Sequence, residues 1–272
     1  MLKLMYITNQ PEIARIAESS GVDRIWIDLE VNGKEERQKG MDTVKSKHKI
    51  DDVGKIKKVL TKSELIVRIN PIYENSKFEI DNVIMQGADI VMLPYFKTVE
   101  EVKEFIKLVN KRCKTMLLLE TPEAVNIIDE ILDINGIDEV HIGLNDLHLG
   151  YKKKFMFELL SDGTVEFLCK KFKEYGIKSY GFGGIARIGT GTLKAENIII
   201  EHYRLGSSIA IISRSFCDTN KIEDIEKIRK IFATEIKKIR FLESKIENYS
   251  EQQFVDNQTV LKEKIKEILK NM

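Results

Sequence analysis

Residues 115–150 read TMLLLETPEAVNIIDEILDINGIDEVHIGLNDLHLG, and the rest of the fold can be worked out from them. The apolar run at residues 116–119 is continuous rather than alternating, which is typical of a strand that is buried on both faces. The run ends in Glu120, and Pro122 then opens a segment in which apolar residues recur at helical spacing. The pattern predicts a strand, a carboxylate at its carboxyl end and a covering helix.

A second predicted strand, Glu139–Ile142, follows that helix and brings Asp146 just past its own end. Two consecutive parallel strands thus present the acids Glu120 and Asp146 at their carboxyl ends, where α/β folds place their chemistry. Oxygen ligands without a paired histidine or cysteine favour Mg²⁺ or Mn²⁺ over zinc. Either acid alone fits a helix cap or a salt bridge equally well, but the pair predicts a site for a divalent cation.

Short apolar runs alternate with amphipathic segments along the rest of the chain. Eight strands are predicted, at residues 2–7, 24–29, 65–69, 89–93, 116–119, 139–142, 178–181 and 209–213. Eight strand-helix alternations predict an α/β fold, a (β/α)8 TIM barrel, over residues 1–217. Residues 218–272 contain no predicted strand. They are expected to form extra C-terminal helices, namely the eighth covering helix within 222–246 and a surplus helix at 251–270.

The surplus helix carries a broad apolar stripe that includes Phe254, Leu261 and Ile265. A finished barrel has no obvious room for such a stripe within one chain. The stripe therefore predicts that the tail packs against a neighbouring subunit and that the protein is a homo-oligomer through its C-terminal helices.

Composition and charge limit the kinds of partner. The sequence has 272 residues with 44 basic and 43 acidic side chains, so no overall field favours nucleic acid or an anionic membrane. Its three cysteines lie far apart without metal-ligand spacing, and neither a signal peptide nor a long apolar run is recognised. These features predict a cytoplasmic globular protein whose partner is a small molecule.

Further polar residues are predicted at the carboxyl ends of other strands, and a barrel would bring all of them to one mouth. Asp28 and Glu30 follow the second strand, and Arg68 and Asn70 follow the third. The guanidinium of Arg68 emerges from a buried strand and needs a carboxylate, a phosphate or a substrate oxygen to offset its burial. Arg68, Asn70 and Gly143 are predicted to bind substrate, with Asp28 and Glu30 as catalytic partners of Arg68.

Histidines and glycines give weaker signals. His141 falls within a strand and is expected to lie in the core or the barrel interior, whereas His48 and His148 are candidate general bases. Gly181, Gly183 and Gly184 are expected to form a flexible connection rather than a phosphate-binding loop.

Five segments of the sequence, in order, resemble one known family. They are IWIDLE, IVRIN followed by Pro71, QGADIVMLPYFKTVEEV, LLLETPEAVNIIDEI and GIDEVHIGLNDLHLG, and together they resemble the HpcH/HpaI aldolase and citrate lyase beta-subunit superfamily. The resemblance implies a (β/α)8 barrel and a metal-dependent carbon-carbon lyase or aldolase that acts through a pyruvate-type enolate on Mg²⁺ or Mn²⁺. By position, it makes Glu120 and Asp146 the metal ligands. It also implies that Arg68 contacts the oxo and carboxylate oxygens of a 2-oxo acid or CoA-ester substrate.

The chain also departs from the pattern of that family. In its hydroxy-acid aldolase branch a histidine that serves as base follows the acid of the second strand, but here Val31 follows Glu30. The base is then open between a metal-bound water, His48 and another residue of the loop from Asn32 to Asp52. The DLE and VRIN-Pro segments are closer to the citrate lyase branch, which acts on CoA esters. A CoA-ester lyase or thioesterase and a non-catalytic metal-binding barrel are the alternative functions.

Overall fold

The backbone closes into a barrel of eight parallel strands. The computed structural model describes residues 1–33, 48–219, 222 and 224–272, without the side chain of Arg214. The strands are β1 (Lys3–Ile7), β2 (Arg24–Asp28), β3 (Glu64–Arg68), β4 (Ile90–Leu93), β5 (Lys114–Leu119), β6 (Glu139–Ile142), β7 (Ser179–Ile185) and β8 (Ile209–Ile212). Each strand pairs with the next, and β8 pairs with β1 to close the sheet. The predicted α/β fold, a (β/α)8 barrel with C-terminal helices, is confirmed.

Helices cover the outside of the barrel and fill several of its loops. In the described part of the chain they are α1 (Pro11–Ser19), α2 (Ile50–Lys57), α3 (Ser76–Met85), α4 (Val99–Val109), α5 (Pro122–Asn126), α6 (Ile128–Leu132), α7 (Leu144–Gly150), α8 (Glu158–Ser161), α9 (Thr164–Glu174), α10 (Ala195–Leu205), α11 (Ile225–Ile246) and α12 (Glu251–Lys270). Local sequence sets their ends. Thr98, for example, caps α4 by accepting the Glu101 backbone N–H. Among these helices none combines the length and the apolarity needed to cross a membrane.

Side chains on each strand alternate between the barrel interior and the covering helices. The register of β2 and β3 pairs Trp26 with Ile66 and Asp28 with Arg68, so each of these pairs shares one face of the sheet. A cluster of buried apolar side chains fills the interior: Met5, Trp26, Ile66, Ile90, Met92, Met116, Leu118 and Ile209. Asp28 and Arg68 therefore stand above this apolar filling, at the carboxyl end of the strands.

Two local features differ from the sequence-based expectation, and both bear on the site. β7 extends beyond the predicted end of the strand at residue 181, so Gly183 and Gly184 lie in β7 rather than in a flexible connection. A Cβ on Gly181 would lie 1.9 Å from the carbonyl oxygen of Ile209, so glycine is needed there for the close approach of β7 and β8. Asp146 lies in the first turn of α7, which the sequence reasoning did not identify as a helix.

The tail helix α12 packs on its own chain, against α10 and α8. Leu261 and Ile265 are buried, and Asn257 exchanges hydrogen bonds of 2.8 and 3.1 Å with Asn197 of α10. The premise that one chain has no room for the apolar stripe is therefore wrong, because the surface beside α10 covers its centre. Val255, at the edge of the stripe, remains exposed. Association through the C-terminal helices stays a prediction.

Candidate active site

A cavity of about 410 Å³ opens at the carboxyl end of the barrel, within the size range of small-molecule sites. Its lining includes the polar side chains Asp28, His48, Arg68, Glu120 and Asp146. The structure therefore brings together residues that are far apart in sequence, because the carboxyl ends of all eight strands meet at this end of the barrel.

Arg68 is a largely buried cation in the wall of this cavity, with 12% of its side chain exposed. Its Nε and Nη2 atoms donate to the two carboxylate oxygens of Asp28 at 2.8 Å, and Nη1 lies 3.3 Å from Glu30 Oε2. The guanidinium carbon lies 5.3 Å from the centre of the Trp26 ring, a cation–π contact. Burial alone would lower the pKa of Arg68, but the charges of Asp28 and Glu30 outweigh it and raise that pKa. Arg68 is a permanent charge held in one orientation.

Glu30 and Asn70 lie behind the cavity wall rather than on it. Glu30 is buried beside Arg68. The Oδ1 atom of Asn70 accepts the backbone N–H groups of Val31 and Asn32 at 2.8 and 2.9 Å, and its Nδ2 atom donates to Glu79 at 2.9 Å. These bonds engage both ends of the amide. Asn70 therefore holds the backbone that follows β2, and it is not brought into contact with the cavity.

Glu120 and Gly143, from the ends of β5 and β6, fit closely against each other. The Oε1 atom of Glu120 accepts the Tyr95 backbone N–H at 3.2 Å. A Cβ on Gly143 would lie 2.5 Å from Glu120 Oε2, so any side chain there would displace the carboxylate. Glycine at residue 143 therefore leaves the space that the Glu120 carboxylate occupies.

Asp146 faces the same cavity from the first turn of α7. It is 8% exposed, and within the described residues its carboxylate takes part in no hydrogen bond or ion pair. Its carboxylate faces the cavity, where no protein group among these residues competes with a cation for its oxygens. The described residues contain no cluster of three His, Cys, Asp or Glu that could hold a metal. Two carboxylates completed by water and substrate oxygens are nevertheless a pattern that Mg²⁺ accepts, so Glu120 and Asp146 fit such an ion.

The two candidate bases differ in their access to the cavity. His48 lines it, and its Nδ1 atom accepts the Asp28 backbone N–H at 3.0 Å. A neutral His48 in this arrangement carries its proton on Nε2 and is a donor there, not a base. The Nδ1 atom of His148 lies 3.2 Å from the Leu144 carbonyl oxygen, and the residue is not part of the lining. The loop from Asn32 to Asp52 was the other candidate source of the base, and its residues 34–47 lie outside the described residues.

Sequence reasoning did not assign Trp26 and His141 to the site, although both line the cavity. Each lies two residues before a predicted site residue, Asp28 or Gly143, and therefore on the same face of its strand. Strand alternation is the signal that would have identified them. It was outweighed because a lone aromatic residue or histidine in an apolar strand usually belongs to the core.

Known proteins share this sequence pattern and this fold. The sequence profile of the HpcH/HpaI aldolase/citrate lyase family matches residues 3–162. An HpcH/HpaI aldolase from Desulfitobacterium hafniense DCB-2 superposes with a TM-score of 0.60 at 16% identity, over 88% of this chain and 93% of that one. An HpcH/HpaI aldolase/citrate lyase family protein from Burkholderia cenocepacia J2315 gives 0.61 at 13%, over 84% and 94%. Citrate synthase SbnG gives 0.58 at 15%, over 87% and 92%.

At these identities the structural likeness establishes the fold alone. A search of curated protein sequences gave no significant match. The family profile carries more weight, because it spans more than half of the chain and includes the strand ends that carry Asp28, Arg68, Glu120 and Asp146. The protein belongs to the HpcH/HpaI aldolase/citrate lyase family.

Proposed function

We propose that the protein is a divalent-metal-dependent carbon-carbon lyase or aldolase that acts on a 2-oxo acid through a pyruvate-type enolate. Membership of the family supports a lyase of the aldolase/citrate lyase type. The observation that carries the finer proposal is one cavity that holds the oriented guanidinium of Arg68 together with the carboxylates of Glu120 and Asp146. A fixed cation beside two oxygen ligands suits an anionic substrate whose negative charge grows during the reaction.

Arg68 would bind the substrate's oxygens and stabilise the charge that develops on them. A planar guanidinium that is already held in place needs no reorganisation when that charge appears. Asp28 and Glu30 would act as positioning residues, since both contact Arg68 and Glu30 does not line the cavity. Asn70 would position the loop after β2, and Gly143 the carboxylate of Glu120.

Glu120 and Asp146 would hold Mg²⁺ or Mn²⁺ at the mouth of the barrel. When bound, such an ion supplies Lewis-acid stabilisation of a substrate oxygen and lowers the pKa of bound water. The fit is based on the carboxylate of Asp146, which faces the cavity without a partner among the described residues, and on the space that Gly143 leaves beside Glu120.

Decarboxylation of oxaloacetate with added Mn²⁺ tests this proposal, because loss of CO₂ forms the enolate without a general base. We expect turnover that EDTA abolishes and that Asp146→Asn lowers at least about 100-fold. Glu201→Gln is a matched control, because Glu201 is a buried carboxylate of α10 that pairs with Arg204 away from the cavity. It should keep the parent rate.

Other outcomes of these assays would contradict the metal assignment or favour one of the two alternative functions. Turnover that survives EDTA or Asp146→Asn would contradict the metal assignment. Hydrolysis or cleavage of acyl-CoA without oxaloacetate turnover would favour the CoA-ester lyase or thioesterase. Calorimetric Mn²⁺ binding without any turnover would favour the non-catalytic barrel.

We also propose that the protein is a homo-oligomer through its C-terminal helices. Phe241 of α11 and Val255 and Val260 of α12 are exposed apolar side chains on these helices. Light scattering after size-exclusion chromatography should give a mass above that of one 31.4 kDa chain. A single-chain mass at micromolar concentration would contradict the proposal.

A further inference from the structure

Glu79 of α3 is a buried carboxylate that lies outside the cavity described above. It is 3% exposed, and within the part of the chain that the structure describes no cation pairs with it. Burial raises the pKa of its carboxyl group, because a charge is poorly solvated at this position. A leucine would fill the same space without that penalty, so packing alone does not account for a glutamate here.

Three hydrogen-bond donors converge on this carboxylate. The Nδ2 atom of Asn70 donates to Glu79 Oε1 at 2.9 Å, and the Asn70 backbone nitrogen lies 3.3 and 3.4 Å from the two carboxylate oxygens. The hydroxyl of Tyr73 is the third donor. An ionised carboxylate accepts hydrogen bonds and donates none, so it matches this set of donors.

The amide of Asn70 extends these contacts to the end of β2. Its Oδ1 atom accepts the backbone N–H groups of Val31 and Asn32. If the amide were turned by 180°, its oxygen would face the carboxylate of Glu79 and its NH₂ group would face the two N–H groups, so like groups would meet at both ends. Hydrogen bonds in a chain also polarise one another, so the charge of Glu79 makes Oδ1 a stronger acceptor.

The backbone that Asn70 holds continues directly from the residues that hold Arg68. Asp28 forks the guanidinium, and Glu30 Oε2 lies 3.3 Å from Nη1. Val31 follows Glu30 in the chain, and its N–H is one of the two that Asn70 accepts. Glu30 thus lies between two fixed points of the backbone, and its reach to Arg68 depends on both.

We propose that Glu79 is a positioning residue of the active site. It orients and polarises the amide of Asn70, which holds the backbone after Glu30 and thereby keeps the Glu30 carboxylate against Arg68. The inference rests on the proposed function, in which Arg68 stabilises the charge that develops on the substrate. It adds a residue that lies outside the cavity lining, on a helix that covers the barrel.

Moving the negative charge from residue 79 to residue 70 tests the proposal. Asn70→Asp alone places two carboxylates at hydrogen-bonding distance, and at pH 8 their repulsion should release the backbone after β2. In the double variant, Asn70→Asp with Glu79→Gln, the amide at residue 79 can donate to the carboxylate at residue 70. That carboxylate still accepts both backbone N–H groups, so the contacts are restored with the charge at the other position.

Amide hydrogen exchange, measured by mass spectrometry, is a readout that needs no turnover. Asn70→Asp should speed exchange at Val31 and Asn32 about tenfold, the expected effect of losing one net hydrogen bond. The double variant should restore the parent protection. Glu79→Gln alone keeps an acceptor but loses the charge, so its exchange should lie between that of the parent and that of Asn70→Asp.

Turnover of oxaloacetate is the second readout, expressed as kcat per folded molecule. Asn70→Asp should lower kcat about 10- to 100-fold, because a small displacement of a group that orients Arg68 is enough for such a loss. The double variant should recover most of the parent kcat. A purely structural contact would change stability and leave kcat per folded molecule unchanged.

Asn257→Asp is the matched control. Asn257 of α12 is 6% exposed, as Asn70 is, and its amide exchanges hydrogen bonds with Asn197 on the outside of the barrel. The same substitution there should lower stability. It should leave kcat per folded molecule, and the exchange at Val31 and Asn32, at the parent level.

Several outcomes would overturn the positioning role of Glu79. Parent-like exchange in Asn70→Asp would show that the amide does not hold the backbone. Faster exchange with a parent-like kcat would leave a structural contact only. A double variant that recovers neither protection nor kcat would exclude Glu79 as the relevant partner. If Asn70→Asp does not fold, a folded double variant with a low kcat would overturn the role as well. Absence of turnover in the parent would contradict the proposed function, whereas the exchange data would still test the contacts of Asn70.

Discussion

Two arginines on neighbouring strands use the same chemistry at opposite ends of the barrel interior. At the amino end, Arg24 of β2 donates to both carboxylate oxygens of Glu139, at 2.5 and 2.7 Å, and to Glu64 at 2.8 Å. Lys114 supplies a second cation to Glu64. This cluster balances two cations with two carboxylates, and Arg24 is fully buried. At the carboxyl end, Arg68 makes an equally regular fork with Asp28.

The two ends of the barrel have the same type of ion pair, but they differ in whether a ligand can reach the arginine. Arg24 touches no cavity that a ligand enters from the mouth, whereas Arg68 and Asp146 line one. In the closed cluster every charge is paired within the protein, so the cluster needs no ligand. A clamped cation that faces a cavity is arranged to meet an anion. Burial and bidentate geometry by themselves therefore do not separate a structural arginine from a functional one.

The largest effect is expected at the amino end. Arg24→Met leaves Glu139 as a buried carboxylate without its partner, and we expect a loss of about 3–5 kcal/mol in the free energy of unfolding. Turnover per folded molecule should stay at the parent level, measured below the unfolding transition. Adding Glu139→Leu should restore most of the stability. A selective loss of turnover in the stable double variant would break the contrast between the two ends.

Arg68→Lys tests the carboxyl end. An ammonium cannot reproduce a planar fork, so we expect turnover of oxaloacetate to fall about 100- to 1000-fold. Arg204→Lys makes the same chemical change on the outside of the barrel, where Arg204 pairs with Glu166 and Glu201. That control should keep the parent rate. A parent-like rate for Arg68→Lys would reduce Arg68 to the structural role that we assign to Arg24.

Gly143→Ala should displace the carboxylate of Glu120, a proposed metal ligand, without removing it. The new Cβ would meet Glu120 Oε2 at 2.5 Å, and the carboxylate must shift to make room. A misplacement of about 1 Å costs up to about 100-fold in rate, so turnover should drop while the fold is retained. Gly54→Ala is the control, since its Cβ meets only the flexible end of Gln86 on the outer surface. Unchanged turnover in Gly143→Ala would contradict the role of Glu120.

The smallest effect is a pH dependence that comes from two buried histidines. Burial lowers the pKa values of His141 and His202 from 6.5 to about 3. Between those values the unfolded chain binds protons that the folded chain does not, so stability falls as pH falls. Each histidine should contribute roughly 2 kcal/mol between pH 7 and pH 5. Urea midpoints at both pH values check this, and His202→Phe should lose its share of the slope. If the stability of that variant falls with pH as steeply as that of the parent, the contribution that we assign to His202 is wrong.

How much of this site could be anticipated differs from residue to residue. Glu120 and Arg68 were identified because each follows a continuous apolar strand, and strand ends meet at one edge of a parallel barrel. Asn70 has the same position in its sequence pattern, yet the structure turns its amide toward Val31, Asn32 and Glu79. The pattern gives the strand end, but the direction of a side chain beyond it depends on partners that are distant in sequence.

The sequence by itself determined the eight strands, the barrel, and the acids and arginine at the strand ends, because hydrophobic periodicity and turn residues are local properties. Only the tertiary structure decided that Gly181 permits a close strand approach, that α12 is covered by α10, and that His48 accepts the Asp28 backbone N–H. It also decided that His141 and Trp26 share a cavity with Arg68. Each of these facts depends on strand register and helix packing between segments far apart in the chain, which no local pattern encodes.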